Sequence, residues 1–176
     1  PASGVGAALA RMDDQNAYRG YDLYVGASSI AVHIIHAWPQ NAIKVTTKKK
    51  LEASQWYHVF ATYDGSSSAS GVKIYVNGDE WEWEIEQDAL SGSIQTTKSL
   101  LVGSRHPGSR FRGEIELLEV YDSCLSPAAV RGRALAGSVD SLLAIPAVER
   151  TPQQIETLRQ HYLHELAPGY VALEEQ

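Results

Sequence analysis

Three glutamates fall within six residues in the stretch GEIELLEVYDSCLSP: Glu114, Glu116 and Glu119. Retaining hydrolysis of a glycosidic bond needs two carboxyl groups about 5–5.5 Å apart, one to protonate the leaving oxygen and one to attack. A regular strand defeats that use, because its side chains alternate with a period of two. Glu114 and Glu116 then share one face and Glu119 takes the other. A bulge at Leu117-Leu118 would bring the three acids to one face and put Ile115 and Val120 on the other. The catalytic reading therefore rests on one geometric condition, a bulged strand facing an open cleft. The competing reading, a scaffold strand with a solvated acidic face, requires no special geometry.

A second set of residues suits binding rather than chemistry. Trp81-Glu82-Trp83-Glu84-Ile85-Glu86 alternates cleanly, with both tryptophans on one face and the glutamates on the other. Flat indoles of this kind offer a stacking platform for a sugar ring, while plain burial of Trp81 and Trp83 is the ordinary alternative. Trp38, in the segment Trp38-Pro39-Gln40-Asn41 between two expected strands, occupies a loop, where binding groups concentrate. Its ordinary alternative is a lid on the sheet edge. Trp38, Trp81 and Trp83 are the candidate ligand-binding residues.

The histidines do not suggest a transition-metal centre. His33 and His36 lie three apart on an expected strand and point to opposite sides; His161 and His164 lie three apart on an expected helix with no third ligand in view. His58 is expected to hydrogen-bond within a sheet. The single Cys124 excludes an internal disulfide and reads as a small residue at a strand end, and without Cys-x-x-Cys-His the chain carries no c-type haem of its own.

The elements that must position these residues are mostly strands. Short β-like runs separated by turn residues cover Ala7–Met12, Tyr21–Val25, Ile30–His36, Ile43–Thr46, Trp56–Tyr63, Val72–Val76, Glu80–Glu86, Leu100–Val102 and Phe111–Tyr121. That spacing is the pattern of an all-β sandwich. Asn77-Gly78 predicts a type I′ hairpin, since both central residues must take positive φ, and the chain from Trp56 to Glu86 reads as a meander. Ser126 and Pro127 predict an N-cap and first helical residue, opening a short helix to about Leu135. Composition shifts after Gly137, and Thr151-Pro152 opens a second helix with Ile155, Leu158, Tyr162 and Leu166 at helical spacing, ended by Pro168-Gly169.

Length and charge set outer bounds. A chain of 176 residues, 44% hydrophobic, supports one buried core with an appendage, here a sandwich over 1–136 and a helical extension or linker over 137–176. The net charge of −6, from 21 acidic and 15 basic residues, leaves only Lys48-Lys49-Lys50 as a basic run. Nucleic acid is not an expected partner. No run of about eighteen apolar residues exists, so membrane insertion is not expected, and any export signal is expected outside this stretch.

The run WYHVFATYDGSSSASGVKIYVNG, Trp56 to Gly78, resembles the LamG-like jelly-roll modules of the concanavalin A-like lectin/glucanase superfamily. A second motif of that family is matched by Phe111, Gly113, Ile115, Leu118, Val120, Tyr121, Asp122, Leu125 and Ser126. The segments ARMDDQNAYRGYDLYV, AVHIIHAWPQNAIKV and RTPQQIETLRQHYLHELAP look like a subgroup found in large exported bacterial proteins that also carry cytochrome c-type domains and domains of unknown function. The family's usual aromatic-tryptophan-valine strand would precede Pro1, so the sandwich is expected to lack its first strand. Glu114, Glu116 and Glu119 also resemble the E-x-D-x-x-E strand of laminarinase-like hydrolases, with glutamate at the middle position and no tryptophan-rich approach to it.

The resemblance implies a concanavalin A-like jelly-roll β-sandwich with a C-terminal helical extension, in an extracytoplasmic setting. It implies calcium as a possible cofactor, with Asp64 and Asp122 as candidate ligands of the hard-oxygen type. The expected function is non-catalytic carbohydrate binding within a larger protein. The alternatives are a structural module that docks or spaces neighbouring domains, and a glycoside hydrolase using the Glu114/Glu116/Glu119 strand.

Overall fold

The run Ser29–Ala37 is rich in β-branched residues, and Ile30, Ala31, Val32, His33, Ile34 and Ile35 are all buried. Such a run suits a strand covered on both faces. In the computed structural model, which describes residues 5–105 and 108–166, it is the third of nine strands. These are β1 (Gly6–Asp13), β2 (Arg19–Gly26), β3 (Ser29–Ala37), β4 (Asn41–Thr47), β5 (Val59–Tyr63), β6 (Val72–Val76), β7 (Asp79–Glu80), β8 (Trp83–Asp88) and β9 (Leu101–Val102). Two helices follow, α1 (Pro127–Leu143) and α2 (Pro152–Leu166). Six strands form one sheet in the order β8-β4-β3-β2-β1-β9, and three form a second in the order β5-β6-β7. The fold is all-β with a helical C-terminal part.

The chain divides into two compact units. The first runs to Trp56 and takes in Ala61–Ile74 and Trp81–Cys124; the second holds Tyr57–Phe60, Tyr75–Glu80 and the chain from Leu125 onward.

In the first unit the register sorts side chains to two faces. Leu23 pairs with Val32 and Val32 with Val45, while Ile34 pairs with Ile43, giving one apolar face. Asp22 pairs with His33 and His33 with Lys44, and this polar row lies on the opposite face. A one-residue slip would exchange the two sets, so the buried isoleucines fix the register. Burial of Ile30, Ile43 and Val45 at 0% exposure marks the centre of this core, while Ile35, on the His33 face, packs with Met12 and Ala42. Gly20 sits at φ +134 with its Cα against the backbone of Arg11, where any Cβ would collide with the Arg11 carbonyl.

The second unit contains the hairpin turn. Asn77 and Gly78 have φ of 54° and 87°, as a type I′ turn requires, and Val76 pairs with Asp79 across it. Ser126 caps α1, its hydroxyl accepting from the Ala129 N–H at 3.2 Å. The helix buries Val130, Ala134 and Val139, and it runs to Leu143, past the expected stop near Leu135. Residues 136 and 137 thus lie within it. Arg150 collects the carbonyls of Leu142, Leu143 and Ile145 at the helix end. Thr151 and Gln154 cap α2 reciprocally, and α2 packs along α1. The expected stop at Pro168-Gly169 lies outside the described residues.

Three strand expectations are corrected. The run Trp56–Tyr63 becomes a strand only from Val59, and Trp56 is 61% exposed. The run Glu80–Glu86 is broken at Trp81-Glu82, because the Trp81 N–H bonds the Ile74 carbonyl while the Glu82 carbonyl accepts from the Lys48 N–H. The chain therefore leaves one sheet and joins the other, with β8 antiparallel to β4, instead of continuing a single meander. Finally, Phe111–Tyr121 contains no strand, and every residue from Arg112 to Val120 is exposed. A strand persists by filling a ladder, and beside β1 the available positions go to β9 and to a parallel bridge at Arg110.

Candidate functional site

The polar row on β2 and β3 builds a charged trio. Asp22 is an acid at an inward position of β2, between Gly20 and Tyr24, and its side chain is fully buried. An isolated carboxylate there would cost several kcal/mol, so both oxygens need partners. Oδ1 accepts from His33 Nδ1 at 2.7 Å, and Oδ2 accepts from Arg105 Nε. The carboxylate only accepts, so the His33 proton on this side sits on Nδ1. Arg105 Nη2 lies 3.3 Å from the same ring nitrogen, and the guanidinium covers the Tyr24 ring at 4.7 Å. Arg105 thus arrives from beyond β9, after the turn at Gly103, and is fixed on one edge and one face.

His33 and Arg105 of this trio form part of the wall of a cavity of about 450 Å³ lined by Tyr18, His33, Ile35, Trp38, Arg105, Gly108 and Ser109, with Asp22 buried behind them. Trp38 meets the His33 ring edge-on, with centroids 5.8 Å apart, and packs on Met12, Ile35 and Ala42. The Trp38 N–H donates to the Ala17 carbonyl at 2.9 Å. That bond ties the cavity rim to the β1–β2 turn, where Ala17 and Tyr18 hold φ of 49° and 60°. Left-handed conformations at non-glycine residues cost about 1–3 kcal/mol each, and such strain tends to gather at binding sites. An aromatic pair beside a fixed guanidinium and an imidazole can stack a flat apolar surface and hydrogen-bond its polar rim.

The sequence-derived candidates are dispersed. Trp38 lies in the cavity wall. Trp83 pairs with Thr47, on the sheet face opposite His33, and Trp81 stands at the crossing between sheets with Lys49 over its ring at 5.7 Å. Neither lines this cavity. On the His33 face, Glu86 binds Lys44 at 2.6 Å and Thr46 at 2.5 Å. Glu114, Glu116 and Glu119 sit on the exposed irregular segment, so the bulged strand that catalysis required is not formed. Tyr121 donates to Glu119 at 2.8 Å.

Asp64 accepts from the Ser66 N–H at 2.9 Å, packs its carboxyl against Gly71 and is held below its usual pKa by the Ser66 hydrogen bonds. Asp122 is exposed. Among the described residues, no three His, Cys, Asp or Glu side chains converge as metal ligands. His36 is separated from His33 and donates Nδ1 to the Ser93 carbonyl at 2.7 Å.

Sequence reasoning missed Asp22, Arg105 and Tyr18. The available signal was Asp22 itself, an acid between Tyr21 and Leu23 in an apolar run, which demands a buried partner from elsewhere in the chain. Nothing local identifies that partner as a residue 83 positions away.

The two antiparallel sheets and the motif at Trp56–Gly78 define a laminin G-like jelly roll. A family model, Laminin_G_3, described as the concanavalin A-like lectin/glucanases superfamily, matches residues 2–131, and the chain belongs to that family. Among solved structures, it is similar to a crystal structure from an S-layer domain-containing protein of Clostridium thermocellum ATCC 27405. That likeness has 19% identity and a TM-score of 0.37, covering 74% of this chain and 64% of the other. The chain thus spans less than two thirds of that structure. No curated protein is significantly similar to it.

Proposed function

We propose that the chain is a non-catalytic carbohydrate-binding module of a larger exported protein, and that the Tyr18–Trp38 cavity is its binding site. The single observation that carries this reading is the combination of two aromatic side chains with His33 and Arg105, both held by the buried Asp22, in one cavity. Aromatic rings suit the apolar face of a pyranose, and a cavity of this size accepts a sugar unit. The exported setting rests on the resemblance to modules of large exported bacterial proteins. The absence of catalysis is supported by the scattering of the acids, with Glu114 and Glu119 on an exposed segment.

Affinity electrophoresis through gels containing plant, algal and bacterial polysaccharides tests the reading. The wild-type chain is expected to be retarded by at least one of them, with Trp38→Ala losing the retardation and Trp83→Ala keeping it. Free migration of the wild type in every gel, or equal loss in both variants, would refute this assignment.

A second reading, a module that docks neighbouring domains, has its own support. Ile155 and Tyr162 lie two turns apart on α2 and are 52% and 57% exposed. If docking is the function, Ile155→Ser with Tyr162→Ser frees the unit from the rest of the parent protein in limited proteolysis. Unchanged cleavage in that variant would remove this alternative.

A further inference from the structure

We infer that the cavity selects a sugar carrying a carboxylate, an uronate unit, over its neutral counterpart; this rests on the carbohydrate reading above and makes Arg105 the residue that decides specificity. Of the described side chains that line the cavity, Arg105 is the one with a permanent charge. The acid next to it, Asp22, is fully buried, and both its oxygens are engaged by His33 and Arg105. The pair is neutral as a whole, but its carboxylate is buried and saturated while the guanidinium belongs to a cavity-lining residue, so an arriving anion meets donors and not acceptors.

The guanidinium is also oriented. Its Nε is held by Asp22, its plane lies over Tyr24 at 4.7 Å and its Nη2 is 3.3 Å from His33 Nδ1, which leaves the Nη1/Nη2 end as the donor fork. A planar donor fork fixed in this way matches the planar, two-oxygen acceptor of a carboxylate, and charge-assisted bonds of this type are roughly twice as strong as neutral ones. A sugar hydroxyl in the same place would accept one bond and gain no charge term. The overall negative charge of the chain does not oppose this, because charges more than about 8–10 Å away are screened at physiological salt. Asp22 acts as a positioning residue, holding Arg105 by one edge without touching the ligand.

The test compares ligands that differ only in charge, so the wild-type protein alone can decide it. Calorimetric titration with polygalacturonate and with its fully methyl-esterified form should give about tenfold tighter binding of the free acid, a difference that shrinks as salt rises. Arg105→Gln should equalise the two forms while Trp38→Ala weakens both. Circular dichroism and the unfolding midpoint show that each variant is folded. Should Arg105→Gln fail to fold, Arg105→Lys serves instead. It keeps the charge but loses the fork, and is expected to lose most of the preference.

Equal wild-type affinity for acid and ester overturns the inference and leaves the carbohydrate reading standing. Binding to a neutral glucan that exceeds binding to the uronate overturns it as well. Failure to bind every glycan defeats the carbohydrate reading itself.

Discussion

The centre of the large sheet and the segment Gly113–Tyr121 are built from similar material. Each mixes branched apolar residues with acids at strand-like spacing: Tyr21-Asp22-Leu23 in one, Glu114-Ile115-Glu116-Leu117 in the other. One buries its acid, with Asp22 at 2% exposure and Tyr21 and Leu23 partly covered; the other leaves Leu117 at 67%. The difference lies in partners. Asp22 is carried on β2, between two full-length neighbours, and its acid finds His33 and Arg105. Gly113–Tyr121 has the alternation but no ladder, and its residues from Gly113 to Val120 are exposed. Propensity proposes a strand, and pairing decides it.

That contrast can be broken most severely at Asp22. Asp22→Ala strips Arg105 of its buried counter-charge and is expected to cost about 3–5 kcal/mol in urea unfolding. The paired change Asp22→Asn with Arg105→Gln should recover much of that loss. A cost near zero for Asp22→Ala would mean the trio does not hold the sheet. Next in size, Ile43→Ala removes a fully buried side chain from the apolar face and should cost about 2–5 kcal/mol. Leu117→Ala, made in the irregular segment, should stay within about 0.5 kcal/mol. If Leu117→Ala matched Ile43→Ala, that segment would be packed in solution, and the contrast would fail.

The smallest effect is a pH dependence at Glu86. Burial raises the tendency of this carboxyl to stay protonated, but hydrogen bonds from Lys44 and Thr46 and the Lys44 charge outweigh it, so the pKa falls below 4.5. A carboxylate lowered on folding stabilises above its unfolded pKa and loses that contribution as pH falls through the folded value. Wild type should therefore exceed Glu86→Gln in stability near neutral pH, with the two unfolding midpoints converging below pH 4.5. A constant gap down to low pH would detach Glu86 from the β4–β8 pairing.

Local features were legible in the sequence wherever one residue type meets one backbone need. Asn77-Gly78 marked its hairpin, Ser126-Pro127 its helix start, and Ile30–His36 its central strand. The fold class followed from strand spacing together with the Trp56–Gly78 motif. What could not be read depends on distant partners. The break at Trp81-Glu82 exists because the Trp81 N–H is taken by Ile74 and the next carbonyl, that of Glu82, by Lys48 on a different strand, and a run of alternating tryptophan and glutamate carries no mark of it. Of the candidate site, Trp38 was visible as a loop aromatic. Arg105 was not, because its role comes from Asp22, across the sheet.

The passage through Trp81-Glu82 has a mechanical meaning. A chain that leaves one sheet and enters the other within two residues has almost no slack between them. A pull applied along β8 is passed at once to the Trp81–Ile74 bond and to the Lys48–Glu82 bond. Tension at this point is borne by two backbone hydrogen bonds on successive residues, Trp81 to Ile74 and Lys48 to Glu82.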